Sequence, residues 1–313
     1  MSKRPKKPRR AFIDLLQYWA LRSVEMSICS WPIDVNLRFC KLIGDFFFPF
    51  DKRHRERALH NLRRSFPEKT ERWRRNVARR SMQHLFMLGA EILQTQRVIH
   101  VDTFARHIEL VNFKDTLEMM LRADHGMIVL TGHFGNWEVL GYVMGTMGFE
   151  TTSVARTLDN PYVNNYVLGM REKHGQRIID KNGATDEVIR VLEKNGVVGF
   201  IADQNAGKKG IFVDFFGRKA STYKSIGLCA MQFKVPVIIG GAKRINDRFK
   251  FEFFMQDIIW PREWEDQDDP LRYITQRYTT ALENVIRTEP SQYLWAHRRW
   301  KTRPKGEEPE PYD

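Results

Sequence analysis

One short stretch of the chain combines an imidazole with a carboxylate at a spacing that could support acid–base chemistry. Glu138 follows His133 by five positions, and Gly132 and Gly135 allow the backbone to turn tightly around the histidine. A carboxylate on one ring nitrogen fixes the tautomer of a histidine and leaves the other nitrogen free to act as a base. The spacing therefore predicts a His133–Glu138 dyad that removes a proton from a hydroxyl group. The alternative interpretation is a structural histidine beside a carboxylate that caps a helix.

Other common catalytic patterns are missing from the sequence. It contains neither the G-x-S-x-G turn that presents a nucleophilic serine nor the H-E-x-x-H pattern of zinc enzymes. Its three cysteines, Cys29, Cys40 and Cys229, form no close pair, which argues against a disulfide framework or a cysteine zinc site. We therefore expect a reaction that uses no metal, no resident cofactor and no protein nucleophile.

The elements around the histidine predict where it stands in the fold. An apolar run over 127–130 predicts a buried strand, and the residues from 137 onward predict a helix. Strands alternate with helices along the rest of the body, which indicates the α/β class, with a mostly parallel central sheet flanked by helices. Such sheets bind ligands beyond the carboxyl ends of their strands, which is the place predicted for both His133 and Asp203. A late strand over 249–258 is expected at an antiparallel edge.

The basic charge of the chain is concentrated in its first quarter. The 313 residues carry a formal net charge of +13, with 42% hydrophobic and 28% charged residues. Residues 1–80 hold 21 Lys and Arg against 8 Asp and Glu, whereas residues 81–313 hold 30 of each sign. This composition excludes a collagen, a low-complexity chain and a polytopic membrane protein. The basic quarter predicts a polyanionic partner, such as an anionic membrane, a phosphorylated lipid, an acidic carrier protein or a nucleic acid.

An apolar stripe near the N-terminus predicts a helix at a membrane surface. Charged side chains at Asp14, Arg22 and Glu25 interrupt it, so no uncharged run approaches the ~20 residues of a spanning helix. We therefore predict a helix that lies in the membrane interface, with Trp19 and Trp31 at the level of the headgroups. The alternative is an amphipathic helix that packs on the body. The stripe consists of Phe12, Leu15, Leu16 and Trp19, at positions i, i+3, i+4 and i+7.

The sequence predicts three regions. A basic helical region that associates with the membrane covers 1–100, an α/β domain covers 101–305, and an acidic tail covers 306–313. The arginine-rich segment 51–80 lacks the interleaved aromatic residues of base-stacking surfaces, and no recognition-helix or zinc-finger pattern accompanies it. We therefore expect lipid phosphate, and no nucleic acid, to meet this segment.

The stretch from His133 to Glu138 resembles the H-x4-D/E signature of the lysophospholipid acyltransferase superfamily. More narrowly, the chain resembles the branch that contains the lauroyl and myristoyl acyltransferases of lipid A biosynthesis. The order and spacing of further segments along most of the chain support this resemblance. These segments are 58–62 with 66–67, 155–156 with 159–161, Arg171 with Gly175, 202–204, 215–217 and 295–301.

The resemblance implies acyl transfer to a hydroxyl of a lipid A precursor or a related glycolipid. His133 would take the proton from that hydroxyl, Glu138 would orient His133, and the hydroxyl oxygen would attack the thioester of an acyl carrier protein or of acyl-CoA. The expelled thiolate makes a covalent acyl-enzyme unnecessary, and the thioester is a co-substrate, so no cofactor is implied. Backbone N–H groups near 132–135 or a guanidinium would stabilise the oxyanion. The implied location is the cytoplasmic face of the bacterial inner membrane, with peripheral or monotopic attachment and anionic membrane lipid as a partner.

Four further residues are candidates for substrate binding. Arg171 and Arg156 match arginines that the family carries, and a planar guanidinium suits a phosphate or a carboxylate. The alternative for both is a surface charge paired with a nearby carboxylate. Asp203 either holds Arg171 in place or caps the next turn, and Gln204 follows it in the sequence. His297, in the terminal segment of the resemblance, is expected to have a structural role.

Two other functions stay open at this point. The same dyad would serve an enzyme that acylates glycerophospholipids or other lipids, because the motifs belong to the shared chemistry and not to the acceptor pocket. A basic membrane-binding or nucleic-acid-binding protein without catalysis is the second. The first helix, with its three charged residues, is also more polar than the membrane helix that usually opens the family, so its depth of insertion is open.

Overall fold

The computed structural model describes residues 11–172, 175–180, 183–308 and 311. Residues 1–10, which begin the predicted basic region 1–100 and carry a run of Lys and Arg over 3–10, lie outside the described residues. So do residues 309, 310, 312 and 313 of the predicted acidic tail. The described chain first forms consecutive helices and then alternates strands with helices. The opening helices are α1 (Ala11–Cys29), α2 (Ile33–Phe50), α3 (Lys52–Ser65) and α4 (Glu71–Val98).

The rest of the described chain builds a seven-stranded sheet, a two-stranded hairpin (β6–β7) and the helices that connect them. The elements follow in the order α5 (Phe104–His107), β1 (Ile108–Val111), α6 (Lys114–Arg122), β2 (Met127–Thr131), α7 (Trp137–Thr146), β3 (Thr151–Ala155), α8 (Pro161–Glu172), β4 (Gln176–Asp180), α9 (Ala184–Glu193), β5 (Val197–Ile201), β6 (Ile211–Phe215), β7 (Arg218–Thr222), α10 (Ser225–Phe233), β8 (Val237–Arg244), β9 (Phe251–Ile259) and α11 (Pro270–Thr288).

The large sheet has the strand order β1-β9-β8-β2-β5-β3-β4. Neighbouring strands run parallel except β8 and β9, which are antiparallel. The predicted fold class, a mostly parallel sheet flanked by helices, is therefore confirmed. The strand predicted over 249–258 is antiparallel to β8 as expected, but it is not an edge, because β1 pairs with its other side. With four residues and an incomplete alternation of burial, β1 is too short to be predicted from sequence pattern.

Alternate residues of the central strands face two helical layers. In β2, Ile128 and Leu130 pack with residues of α9, α10 and α11, whereas Met127 and Val129 pack with residues of α6 and α7. This is the period of two expected for a strand that is buried on both faces. The stretch from His133 to Glu138 therefore follows a strand, β2, that is packed on both faces.

The register of the two central strands brings two polar residues together. Strands β2 and β5 are parallel neighbours, and their last residues, Thr131 and Ile201, are paired. His133 and Asp203 both stand two residues beyond this pair. They therefore lie side by side at the carboxyl edge of the sheet, where open α/β sheets bind ligands.

Gly135 gives the loop between β2 and α7 a conformation that other residues would strain. Its φ is +56°, and a Cβ at this position would lie 1.9 Å from the carbonyl oxygen of Ala242. The next residue, Asn136, caps α7, since its side-chain oxygen accepts a hydrogen bond from the N–H of Val139 at 3.0 Å. Glu138 consequently falls in the first turn of α7, as the sequence predicts.

Helices α1 and α2 expose many large apolar side chains. Exposed apolar residues in such number mark an interaction surface, which we call the α1–α2 apolar surface. Among the residues that the structure describes, no helix combines the length and the hydropathy needed to cross a membrane. The most exposed residues of the α1–α2 apolar surface, each at least 59% exposed, are Phe12, Leu16, Trp19 and Met26 of α1, Trp31 of the turn, and Phe39, Leu42, Phe46 and Phe50 of α2.

Candidate active site

His133 is hydrogen-bonded to a carboxylate, but not to the predicted one. Its Nδ1 lies 2.8 Å from Oδ1 of Asp203. Glu138 pairs instead with Arg171, so the structure corrects the predicted partner of the histidine. The physical reason is the sheet register, which sets Asp203 beside His133, while the first turn of α7 carries Glu138 toward α8.

Asp203 is buried, His133 is partly buried, and each residue shifts the pKa of the other. Burial of Asp203, which is 2% exposed, acts to raise its pKa, but His133 outweighs this and holds that pKa well below its usual range. Burial acts to lower the pKa of His133, but Asp203 and, less strongly, Glu138 raise it above its ordinary value. Because an ionised carboxylate only accepts hydrogen bonds, Nδ1 carries a proton and Nε2 of the neutral imidazole presents its lone pair.

Gln204 faces the ring nitrogen that is available as a base. Its Nε2 amide group lies 3.1 Å from Nε2 of His133 and donates to it. The buried Arg299 holds this loop from behind, since its Nη1 donates to the carbonyl of Gln204 at 3.2 Å and to that of Ser221 at 2.6 Å. Gln204, a predicted binding residue, therefore lies against Nε2 of His133, and its role in binding stays a prediction.

A second imidazole lies on the first. The rings of His133 and His297 are stacked, with centroids 5.9 Å apart and an angle of 10° between their planes. Burial lowers the pKa of His297, and its Nδ1 has no hydrogen-bond partner among the described residues. The ring of Trp137 closes another side of His133, edge-on at 4.9 Å. Sequence reasoning expected only a structural role for His297, because no pattern links residues so far apart in the chain.

Arg171 and Glu138 form a two-pronged ion pair. The Nε and Nη2 atoms of Arg171 donate to the two carboxylate oxygens of Glu138 at 2.9 and 2.5 Å. Asp203 therefore does not hold Arg171, which was one of the two expectations for it. The two carboxylates of the site have exchanged their predicted partners.

Arg156 follows the last residue of β3, and its side chain turns to a neighbouring carboxylate. Its side chain is 65% exposed and pairs with Asp159 at 3.2 Å. This is the surface-charge alternative for Arg156, and its role in substrate binding stays a prediction.

One of the backbone N–H groups expected near an oxyanion, that of Gly135, is already used, and so is that of the next residue, Asn136. The N–H of Gly135 donates to the carbonyl of Gln292 at 3.0 Å, and the N–H of Asn136 donates to the carbonyl of Ala242 at 2.8 Å. The guanidinium of Arg171 lines an apolar cavity between α7 and the sheet. It is therefore a better candidate than these N–H groups for polarising a carbonyl group.

An apolar cavity of about 120 Å³ runs between α7 and the sheet. Trp137, Glu138 and Arg171 line its polar end, and Trp137 also contacts the ring of His133, so this end lies near the His133 cluster. Its walls reach from Thr131 and Ile201 at the carboxyl ends of their strands to residues at the amino ends. These deeper residues include Thr151, Gln176, Val197, Met120 and Met144.

The arrangement combines a histidine that is hydrogen-bonded to a carboxylate with a nearby apolar cavity. Within residues 11–172, 175–180, 183–308 and 311, no group of three or more His, Cys, Asp or Glu side chains could hold a metal ion. The cysteines are free thiols, and none belongs to the His133 cluster. Chemically, the site can remove a proton from a hydroxyl beside an extended apolar group.

Comparison with known proteins gives a family match along most of the chain. Residues 5–302 match the sequence profile of the bacterial lipid A biosynthesis acyltransferases.

Several individual proteins are similar over most of their length. The chain is 24% identical over 292 residues to the lipid A biosynthesis lauroyltransferase of Escherichia coli strain K12, with 92% of each chain covered. It is 26% identical over 270 residues to the palmitoleoyltransferase of the same organism, covering 85% of this chain and 84% of that one. It is 25% identical over 274 residues to the myristoyltransferase, covering 85% and 80%.

Proposed function

The chain belongs to the family of bacterial lipid A biosynthesis acyltransferases, and we propose that it moves a fatty acyl chain from a thioester to a hydroxyl of a lipid A precursor or a related glycolipid. The observation that carries this proposal is the His133–Asp203 pair, which lies near an apolar cavity because Trp137 contacts His133 and lines the cavity. A general base next to a slot for an alkyl chain is what acyl transfer to a hydroxyl requires.

In the proposed reaction, His133 acts as the base and Asp203 orients it. Nε2 of His133 takes the proton of the acceptor hydroxyl, and the oxygen forms a bond to the carbonyl carbon of the thioester. Asp203 stabilises the imidazolium that results, as a carboxylate on Nδ1 does in other histidine bases. The tetrahedral intermediate then breaks its carbon–sulfur bond, and the leaving thiolate takes the proton from His133. No side chain becomes acylated in this sequence.

Arg171 supports the developing negative charge in this proposal. Glu138 holds Nε and Nη2 of Arg171, which fixes the plane of the guanidinium at the polar end of the cavity. A fixed cation stabilises an oxyanion more than a mobile one, because no reorganisation is needed during the reaction. Glu138 is therefore a positioning residue for Arg171 and adds to the negative field around His133.

The cavity matches an acyl chain of medium length. It spans the four-residue rise from Ile201 to Val197 along β5, which is about 13 Å at ~3.3 Å per residue. An extended alkyl chain with staggered bonds of ~1.5 Å advances by about 1.25 Å per carbon, so about ten carbons fill that depth. We therefore propose that the cavity holds at most about ten carbons of the donor chain.

The α1–α2 apolar surface is the proposed membrane contact. Its aromatic residues suit the headgroup level of a bilayer, and the basic charge of residues 1–80 suits anionic lipid. This arrangement would hold the enzyme on the cytoplasmic face of the inner membrane, where a lipid acceptor and a soluble thioester meet. Acyl carrier protein and coenzyme A are the two donor classes.

A mass-spectrometric transfer assay tests the proposed function. The purified enzyme receives acyl carrier protein and coenzyme A thioesters, with a lipid A precursor and a lysophospholipid offered together. We expect a new acyl mass on the glycolipid that falls about 10²–10⁴-fold in His133→Ala, the usual contribution of a general base. The matched control is His100→Ala, an exposed histidine, which keeps wild-type transfer.

The other outcomes of this assay separate the alternatives. Acylation of the lysophospholipid alone would replace the glycolipid acceptor while keeping the base. Equal product from wild type and His133→Ala would remove His133 as the base. Absence of any product, together with vesicle binding, would favour a membrane-binding protein without catalysis.

A further inference from the structure

Helix α4 turns a partly polar side toward the interior of the protein, where an apolar side is the rule. The buried polar residues recur at helical spacing and contact distant segments. Ser81 donates to the carbonyl of Tyr293 at 2.5 Å, and Gln94 donates to that of Ile28 at 2.7 Å. Between them lie His84 and Glu91, which are 5% and 0% exposed.

An ion pair stands at the centre of this polar side. Both carboxylate oxygens of Glu91 accept from the guanidinium of Arg244 in β8, one of them from Nη2 at 2.7 Å. Nη1 of the same guanidinium donates to Nδ1 of His84 at 2.8 Å. Because arginine only donates, His84 is the neutral tautomer with its proton on Nε2, and burial together with Arg244 keeps its pKa well below the ordinary value.

The network ends on the loop that carries His133. Nε2 of His84 donates to the carbonyl of Gly135 at 3.1 Å, and the side-chain amide of Asn136 donates to Glu91 at 2.8 Å. The other side of the loop is held by the segment after α11, since the N–H of Leu294 donates to the carbonyl of His133 at 3.1 Å. Both ends of the 133–136 loop are thus tied to buried polar groups.

We propose that Glu91, Arg244 and His84 are positioning residues for the base, holding the loop so that His133 keeps its hydrogen bond to Asp203. A buried ion pair adds little stability compared with apolar side chains of similar volume, so stability alone does not account for this one. The contacts of this network instead reach Gly135 and Asn136, which follow His133 and Phe134 in the motif. The inference rests on the proposed role of His133.

The test compares Arg244→Lys with wild type in the transfer assay. Lysine keeps a positive charge beside Glu91, but a single ammonium cannot reproduce the forked contacts to Glu91 and His84. We expect kcat to fall by about 10–100-fold with an unchanged KM for the thioester, as for a loss of transition-state interactions alone. The acid limb of the pH profile should move to lower pH, because a less fixed His133 would interact more weakly with Asp203 and its pKa would be raised less. Glu138 and His297, which lie beside His133, stay in place.

Arg277→Lys is the matched control. Arg277 of α11 also makes forked contacts, to Asp257 at 3.0 and 3.1 Å and to Glu263 at 2.5 Å, but it does not touch the motif loop. We expect this variant to lower the melting temperature and leave kcat and the pH profile of the folded enzyme unchanged.

A double variant, Glu91→Met with Arg244→Met, guards against simple unfolding. Apolar replacement of a buried ion pair is often neutral for stability, so this variant should fold and show the same loss of kcat as Arg244→Lys. A folded double variant with wild-type kcat and pH profile would overturn the inference. Loss of the fold in both variants would overturn it too, since the network would then support the whole fold. His133→Ala, measured alongside, reports separately on the proposed function.

Discussion

At the scale of single residues, the site uses two carboxylates for two different tasks. Asp203 holds His133 by a hydrogen bond and raises its pKa, whereas Glu138 holds Arg171 beside the cavity. The motif spacing predicts Glu138 as the partner of His133, whereas the structure shows Asp203, because a contact between neighbouring strands depends on strand order and register. With β5 predicted beside β2, equal offsets from the strand ends would have indicated the His133–Asp203 contact.

Arg171→Lys should weaken the use of the thioester. Lysine retains the charge but cannot keep both contacts to Glu138, so the cation loses its fixed position. We expect kcat/KM to fall by about ten-fold or more, which corresponds to roughly 1.4 kcal/mol in the transition state. Steady-state kinetics with a purified acyl thioester measure this.

Arg190→Lys is the control for Arg171→Lys. Arg190 lies on α9 and is exposed, with a contact to Glu187 at 2.8 Å. Surface pairs of this kind contribute little, so kcat/KM should stay within about two-fold of wild type. An equal effect of both substitutions would contradict the assigned role of Arg171.

At the scale of elements, the sequence predicts best where an apolar run has clear ends. The apolar run over 127–130 forms β2, which extends the prediction by one residue, and the helix predicted from 137 onward begins at Trp137. The sequence pattern does not predict the hairpin β6–β7, because β6 is apolar except for Asp214, β7 is mostly polar, and neither strand shows a simple alternation. The sequence pattern does not predict the cavity, since its walls come from six strands and three helices that only the folded topology assembles.

Met144→Ala should lengthen the preferred acyl chain. Met144 lies in the C-terminal half of α7 and lines the deep part of the cavity, where it would meet the end of the chain. Removing its side chain deepens the cavity by a few carbon–carbon bonds of ~1.5 Å, so the preference should shift by about two carbons. Competition among thioesters of 8 to ~18 carbons, read by mass spectrometry, measures the shift.

Met231→Ala in α10 is the matched control, because Met231 packs on the opposite face of the sheet. Its loss should reduce stability without changing the order of preferred chains. An unchanged preference in Met144→Ala would contradict the assignment of the cavity to the acyl chain.

At the scale of the whole molecule, helix α4 of the predicted region 1–100 and the α/β body are joined by buried contacts. Ser81, His84 and Glu91 of α4 reach the motif loop, β8 and the C-terminal segment. The division into 1–100, 101–305 and 306–313 stays a prediction. Buried polar residues at helical spacing in α4 are the sequence signal that would have indicated this attachment, since a helix lying only on a membrane has no need of them.

Substitution in the α1–α2 apolar surface should release the enzyme from membranes. Phe39→Asp with Phe46→Asp places two charges among exposed apolar side chains that are 61% and 63% exposed. Each buried aromatic side chain contributes roughly 1.5–3 kcal/mol, so we expect at least a ten-fold loss of partition into vesicles. Vesicle flotation with phosphatidylcholine, with and without phosphatidylglycerol, measures this.

Leu121→Asp is the control for membrane binding. Leu121 is 72% exposed on α6, outside the α1–α2 apolar surface. Its substitution should leave partition unchanged. Equal loss in both variants, or no loss in the double variant, would contradict the proposed membrane contact.

The pH profile of acyl transfer in Asp203→Asn and Glu138→Gln tests most directly whether His133 is a base held by Asp203. In wild type, Asp203 raises the pKa of His133, so activity should fall as the pH drops through a value above the ordinary ~6.5 of histidine. Asp203→Asn removes that charge and permits the wrong tautomer. We predict an acid limb moved to lower pH and a maximal rate reduced by about 10²–10⁴-fold. Glu138→Gln should move the limb less, because Glu138 acts on His133 only through its charge. A limb that moves in Glu138→Gln but not in Asp203→Asn would contradict the account and restore Glu138 as the partner of the base.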